Sequence, residues 1–148
     1  MTMPGVTNPA EPFFKDGSWG WDGTVWRKLQ MVWGYSDRYA ELVTDFSPPA
    51  GFNILAGTVV PAGEVWVVQA MGAVDTTSAI SNVLVCVYSG TVDLALGQIV
   101  TPVANQECLW TGEVTMKAGD RARALFDGVI LNDDLYFKIW GYKMKVAE

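Results

Sequence analysis

Asn82-Val83-Leu84-Val85-Cys86-Val87-Tyr88-Ser89 is the stretch of sequence that decides the fold class. It is almost continuously apolar and rich in valine, whose β-branched side chain favours strands over helices. Its length also indicates a strand, because buried strands run for about 4–8 residues whereas helices need about 10–12 or more. The stretch therefore predicts a strand that is buried on both faces and lies at the centre of a sheet.

Further strands flank this one and are separated by regular turn signals. On its N-terminal side, Pro61-Ala62-Gly63 precedes a strand from Glu64 to Met71, and Phe52 begins an earlier strand. On its C-terminal side, a strand over residues 92–100 is expected to form an edge or a bulge near Gly97. Later strands are expected at residues 108–116, 121–126 and 135–146. Strands at spacings of about 8–12 residues without helical periodicity predict an all-β fold, specifically a jelly-roll-like antiparallel β-sandwich.

The strand at residues 121–126 shows the clearest alternation in the chain. The pattern places Arg121, Arg123 and Leu125 on one face and the intervening alanine and phenylalanine residues on the other. Glu113 and Asp120 are the acidic residues close in sequence that could pair with these arginines. We therefore expect surface ion pairs here, of the kind that contributes roughly 0–1 kcal/mol.

Turn signals and composition divide the chain into three parts. Residues 1–16 contain three prolines spaced too closely for a helix, so we expect an extended arm, with Phe13 and Phe14 as its anchor. Residues 17–46 are predicted to form a tryptophan-rich hairpin, an irregular link and a short strand from Ala40 to Phe46. Residues 47–148 are predicted to form the β-sandwich domain.

Trp19-Gly20-Trp21-Asp22-Gly23-Thr24-Val25-Trp26 is typical of a β-hairpin closed at Asp-Gly. A two-residue type I′ turn at Asp22-Gly23 would pair Trp21 with Thr24 and Trp19 with Trp26. An indole pair across the ladder contributes about 0.5–1.5 kcal/mol, yet a lone hairpin is marginal in water. One face of the hairpin must therefore rest on this protein, its oligomer or a partner, and stacking of sugar rings on the indoles is the alternative.

The composition excludes many functions. The 148 residues include no histidine, which removes Ser-His-Asp and Cys-His catalysis and most zinc sites. The formal net charge is -6 and no basic run occurs, so we expect no nucleic acid and no membrane partner. We therefore expect a protein that is not an enzyme and uses no cofactor.

Two small groups of residues have a chemical and a structural interpretation. Cys86 and Cys108 lie in apolar strands, so we expect buried free thiols without a chemical role. Asn132-Asp133-Asp134 together with Asp127 could bind calcium through loop oxygens, but the spacing of a helix-loop-helix site is absent. A solvated turn is the simpler interpretation.

Two parts of the sequence resemble structural proteins of tailed bacteriophages. Trp19–Leu29, followed by Val32–Arg38, resembles the W-x-W-D-G-T-x-W segment of their small structural proteins. The later half is similar to phage jelly-roll modules, with Val60–Trp66 as a V-P-A-G-x-x-W strand entry and Lys117–Asp120 as a K-x-G-D turn. The resemblance touches most of the chain and implies a component of the virion, without identifying which component.

Composition and resemblance together lead to a functional hypothesis. We expect a non-enzymatic capsid decoration or cement protein, trimeric, that binds the major capsid protein or other virion proteins. Its N-terminus lacks the basic and apolar regions of a signal peptide, so we expect synthesis in the host cytoplasm and a location in the virion. The expected partner-binding residues are Phe13, Phe14, Trp19, Trp21, Trp26, Trp33 and Tyr35. The alternative is a tail or fibre adhesin, or a carbohydrate-binding module, that stacks glycans on exposed tryptophans.

Overall fold

A computed structural model describes residues 37–145 in full and the backbone of Trp19–Trp21 and Trp26–Lys28. These residues form ten β-strands and contain no helix, so none of them belongs to a helix that could span a membrane. The strands are β1 Trp19–Trp21, β2 Trp26–Lys28, β3 Asp37–Asp45, β4 Gly51–Ala56, β5 Glu64–Asp75, β6 Asn82–Tyr88, β7 Asp93–Val100, β8 Cys108–Met116, β9 Arg121–Val129 and β10 Leu135–Lys145.

Strands β3 to β10 form two four-stranded antiparallel sheets that pack face to face. The strand order is β3-β10-β5-β8 in one sheet and β4-β9-β6-β7 in the other. The chain crosses from one sheet to the other at every connection except that between β6 and β7, which is the connectivity of a jelly roll. The all-β, jelly-roll-like antiparallel sandwich expected from the sequence is therefore confirmed.

The hydrophobic core lies between the two sheets and follows the alternation of the strands. In β9, Ala122, Ala124 and Phe126 are fully buried, while the residues between them are only half-buried, as predicted. In β6, Val85 is buried on the inner face and Cys86 on the outer face, so this interior strand is covered on both sides. Full burial of a large apolar side chain contributes roughly 1.5–3 kcal/mol, so these inner faces supply the main stabilisation.

The first strand of the sandwich lies earlier in the chain than the sequence indicated. β3 pairs with β10 along its whole length, from Asp37 opposite Lys143 to Asp45 opposite Leu135. The sandwich therefore begins at Asp37 and not at residue 47. β3 is an edge strand in which only Tyr39 is fully buried, so its sequence lacks the strong apolar signal of an interior strand.

β1 and β2 form the expected hairpin, but in a different register. Trp21 pairs with Trp26, and Trp19 pairs with Lys28. The prediction that Trp21 pairs with Thr24 and Trp19 with Trp26 was therefore wrong. Four residues, 22–25, separate the paired tryptophans; hairpins of this length are common, and here the register puts two aromatic residues directly opposite each other.

Two glycines mark irregularities in the sheets. The β6–β7 ladder shifts register beside Gly97 and leaves Leu96 as the extra residue of a bulge, on a strand at the edge of its sheet. The sequence predicted an edge or a bulge at this position, and the strand has both. The β10–β5 ladder shifts between Trp140 and Gly141, where a Cβ atom at position 141 would collide with the carbonyl group of Val67. Glycine is needed there because the two strands approach closely.

Candidate interaction surfaces

Four loops meet at one end of the sandwich, which we call the loop end. Strands β3, β5, β7 and β9 finish there and the strands that follow them begin there, because all the pairings are antiparallel. The loop end consists of residues 46–50, 76–81, 101–107 and 130–134. Both ends of the sandwich chain, Asp37 and Lys145, lie at the opposite end.

Three residues of the loop end have a left-handed backbone that is uncommon outside glycine. Thr101, Asn105 and Asn132 have φ angles of 52°, 65° and 67°. A non-glycine residue in such a conformation costs of the order of 1–3 kcal/mol. Each of the three donates its backbone N–H to a carbonyl oxygen of a different segment, namely Ser81 at 2.8 Å, Asp75 at 2.8 Å and Pro48 at 3.2 Å, respectively. Hydrogen bonds between the loops therefore offset the strain and hold the loops in one arrangement.

Asp133 lies inside the loop end and is not part of a solvated turn. It is 1% exposed; Oδ1 accepts a hydrogen bond from Ser78 Oγ at 2.6 Å, and Oδ2 accepts one from the N–H of Ile130 at 2.8 Å. The solvated-turn interpretation was therefore wrong for this residue, because packing of two loops encloses it. The alternative calcium site finds no ligand set in the described residues, which contain no group of three or more potential metal-binding side chains.

The surface of the loop end is unusually apolar. Phe46, Val103, Ile130 and Leu131 are each more than half exposed. The Phe46 ring packs edge-on against Tyr136, with the ring centroids 5.5 Å apart. Exposed apolar side chains on loops that are held in one arrangement are better suited to contact with another protein than to contact with water.

A second apolar surface, the groove face, lies on the outer side of the β3-β10-β5-β8 sheet. Trp140 lies between Ala40 and Ala70 in one row across the sheet. The next row runs Leu42, Lys138, Gly72 and Leu109. The small residues leave a cavity of about 430 Å³ open to solvent, and its large apolar residues are strongly exposed: Trp140 is 49%, Leu42 60% and Leu109 63%.

The groove face has a short polar rim. Lys138 Nζ lies 3.5 Å from Glu107 Oε1, and both side chains are well exposed. On the β3 side, the Arg38 guanidinium stacks over the Trp140 ring, with Cζ 4.9 Å from the ring centroid. One face of the exposed indole is thus already occupied by a cation.

The outer side of the other sheet, which we call the arginine face, is built differently. Arg123 Nη2 lies 2.7 Å from Asp93 Oδ2, and its Cζ is 3.9 Å from the centroid of the Tyr88 ring. The predicted partners of this arginine, Glu113 and Asp120, were wrong. The true partner lies two strands away in the sheet, beyond β6.

The two cysteines are free and buried, as expected. Cys86 Sγ donates to Asp93 Oδ1 at 3.3 Å; burial, followed by this carboxylate, raises the pKa of the thiol to about 12. Burial also raises the pKa of Cys108. Since the thiolate is the reactive form, neither side chain is suited to nucleophilic chemistry.

The end opposite the loop end holds a structural network. The Tyr39 hydroxyl donates to Glu41 Oε2 at 2.9 Å, and the same carboxylate accepts from the N–H of Thr58 at 3.0 Å. Burial and the Glu41 charge raise the pKa of Tyr39, which keeps the phenol protonated. The Tyr39 ring packs on Trp66 at 4.6 Å, so this cluster ties β3, β5 and the β4–β5 loop together.

The seven predicted partner-binding residues lie outside the fully described part of the chain, and only the backbone of Trp19, Trp21 and Trp26 is described. The structure shows a different set of exposed apolar residues that the sequence did not indicate, among them Leu42, Leu109 and Trp140. Alternation along β10 could have placed Trp140 on the outer face, since its neighbour Ile139 is apolar and buried. No local signal shows that three strands bring these side chains together.

No protein-family model and no curated protein matches the chain. Among solved structures, the chain is similar to part of a chain in the structure of infectious bursal disease virus Gt strain, with 7% identity, a TM-score of 0.35 and coverage of 86% of this chain and 39% of that one. The Gx strain gives 9% identity, a TM-score of 0.34 and coverage of 87% and 35%. Eiger TNF from S. frugiperda gives 10% identity, a TM-score of 0.27 and coverage of 74% and 94%. The chain thus spans well under half the length of the two viral chains that it matches.

Proposed function

We propose that this protein is a non-enzymatic structural component of a virion, a trimeric capsid decoration protein that binds other virion proteins. The observation that carries the proposal is the groove face, where Leu42, Leu109 and Trp140 are strongly exposed around a shared cavity. The aromatic residues of the N-terminal arm and hairpin, and the loop end, supply further contact surface. The lack of histidine and the raised pKa values of both thiols fit a protein that acts by binding.

The chemistry of the groove face suits a protein partner. Leu42, Leu109 and Trp140 project around a floor of small residues, an arrangement that can receive an apolar or aromatic side chain. Tryptophan is enriched among the residues that contribute most to protein–protein binding, particularly where a polar rim excludes water. Lys138 and Glu107 provide such a rim.

A sugar ligand fits this surface less well. A sugar ring needs a free indole face together with several converging polar groups, whereas Arg38 already stacks on Trp140. Glycan binding by the hairpin tryptophans remains the competing function. It predicts that Trp19→Ala with Trp21→Ala abolishes glycan binding without changing the oligomeric state.

The first experiment is quantitative mass spectrometry of purified virions that contain this chain. A copy number approaching that of the major capsid protein is expected of a protein that covers the head. A few copies per particle would contradict the decoration role and favour a tail or fibre component.

The second experiment measures binding to particles that lack the protein. Leu109→Lys places a charge in the groove face and should weaken binding at least about tenfold, the equivalent of about 1.4 kcal/mol. Val92→Lys is the matched control, because Val92 is 66% exposed but lies in the β6–β7 loop, away from the groove. Deletion of residues 1–16 should abolish binding while the sandwich stays folded. Equal binding by the Leu109 and Val92 variants would remove the groove face from the proposal.

A further inference from the structure

Two carboxyl groups are buried beneath the loop end, where loops 76–81 and 130–134 meet. Asp75 is 4% exposed and Asp133 is 1% exposed. Oδ1 of Asp75 accepts hydrogen bonds from the N–H groups of Thr77 at 2.9 Å and Ser78 at 3.1 Å. Asp133 binds the Ser78 hydroxyl and the N–H of Ile130, as described above. Each carboxyl group therefore fixes the backbone of one loop, and Ser78 links the two.

The second oxygen of Asp75 has no donor. Oδ2 is buried, and no N–H or O–H group of the described residues donates to it. The nearest acid joined to Asp75 is Asp133, because Ser78 donates its N–H to Oδ1 of Asp75 and its hydroxyl to Oδ1 of Asp133. Two ionised carboxylates offer only acceptors, so a hydrogen bond between them requires one proton. Without that proton, two like charges would be buried together, which is strongly unfavourable.

The charged residues on the surrounding elements do not provide a compensating cation. Asp134 follows Asp133, and Glu107 belongs to the loop whose Asn105 donates its N–H to the Asp75 carbonyl at 2.8 Å. Lys138 is already paired with Glu107. Asp127, at the end of β9, is acidic as well. Among the described residues, the Asp133 carboxylate is the charged group that acts on the pKa of Asp75.

We propose that Asp75 and Asp133 share one proton that locks loops 76–81 and 130–134 together, and that the loop end loosens when rising pH removes this proton. The loss leaves two facing carboxylates, whose repulsion is relieved by separation of the loops and entry of water. The lock is a property of this chain alone and does not depend on the identity of any partner.

The direction of the pH dependence follows from the two carboxyl groups. Burial, followed by the nearby Asp133, raises the pKa of Asp75 above its ordinary value of 3.8. Its contribution to stability is therefore complete below that value and is lost as pH rises through the folded-state pKa. Burial opposes ionisation of Asp133 as well, but hydrogen bonds from Ser78, Ile130 and Asp75 outweigh it and lower the pKa of Asp133. Its contribution is lost only in acid, so the lock is strongest between the two pKa values.

Amide hydrogen exchange of the full chain, followed by NMR over a range of pH, tests the lock. In the wild type, protection factors at Thr77, Ser78 and Ile130 should fall by up to about tenfold per pH unit above the folded-state pKa of Asp75. Asp75→Asn keeps an acceptor for the loop N–H groups and permanently presents a donor to Asp133. Its protection factors should not change with pH, whereas those of the control Asp134→Asn should follow the wild type.

Asp133→Asn is a second, independent test of the shared proton, because it also removes one of the two charges. It should abolish the pH-dependent step whether or not Asp75→Asn folds. The proposal is overturned if the Asp75 or the Asp133 variant keeps the wild-type pH dependence. It is also overturned if calcium ions restore wild-type protection at high pH, since the pair would then bind a cation and not a proton.

Discussion

The arginine face and the groove face are the outer sides of two similar four-stranded sheets, yet they meet the solvent in different ways. On the arginine face, Arg123 extends across the sheet to Asp93 and covers the Tyr88 ring. On the groove face, Trp140 lies between two alanines and remains half exposed. The first surface is covered by its own side chains, and the second is left open.

The size of the side chains next to the aromatic residue accounts for this difference. A long arginine can lie along apolar surface and keep its charge in contact with a carboxylate or water. Arg38 covers only one face of the Trp140 indole, and the neighbouring alanines and glycine are too small to cover the rest. The groove face therefore keeps exposed apolar area that a partner can bury. A few side chains therefore decide whether the outer face of a sheet is covered or exposed, although the backbone is alike.

Among substitutions of the charged side chains on the two outer faces, Arg123→Ala should have the largest effect on stability. The Arg123 side chain is only 13% exposed, so its removal uncovers Tyr88 and leaves Asp93 without its cation. We expect a loss of about 2 kcal/mol, between the values for exposed and fully buried pairs. Urea unfolding followed by tryptophan fluorescence measures it. A loss within experimental error would show that the arginine face is as open as the groove face.

Gly72→Ala should have a smaller effect. A Cβ atom at position 72 would collide with the carboxylate of Glu107, but that carboxylate is the mobile end of a partly exposed side chain and can swing into solvent. We expect a loss of no more than about 1 kcal/mol in the same unfolding experiment. Gly141→Ala is the contrasting variant, since its Cβ would meet the backbone of Val67. Equal losses for the two glycines would contradict the view that the floor of the groove tolerates change.

Lys138→Ala should have the smallest effect. Its ammonium group lies 3.5 Å from Glu107, with the two side chains 58% and 36% exposed, so solvent screens the pair. We expect a change of about 0–0.5 kcal/mol, which high salt should remove. Comparison with Arg123→Ala at low and high salt measures this contrast between the two faces. A salt-insensitive loss as large as that of Arg123→Ala would contradict it.

Local patterns predicted several features of the fold correctly. The Lys117–Asp120 segment signalled a turn, and Gly119 has a φ angle of 92° there. The alternation of β9 placed its alanines in the core, and the bulge on β7 was expected near Gly97. Each of these signals depends on neighbours within a few residues, which is why sequence alone could show them.

Other features depend on residues far apart in the chain. The ion pair of Arg123 with Asp93 spans 30 positions, and the contact of Ser78 with Asp133 spans 55. Acidic residues near Arg123 in sequence were therefore the wrong candidates. The sequence also presented Asp133 as part of a polar turn, because its contact with Ser78 comes from a second loop that is distant in the chain.

Residue patterns along the chain were enough to show that this protein is built from strands, which strand faces enter the core and where several turns occur. Side-chain size and alternation act locally, so they can be read along the chain. Packing between distant segments brings β3 into the sandwich and places Trp140 beside Leu42 and Leu109 around a groove. It also joins Asp75 and Asp133 through Ser78 beneath the loops. Those arrangements depend on pairings between strands that are distant in the chain. Each pairing is stabilised by small contributions from many residues, so no single position in the sequence indicates it.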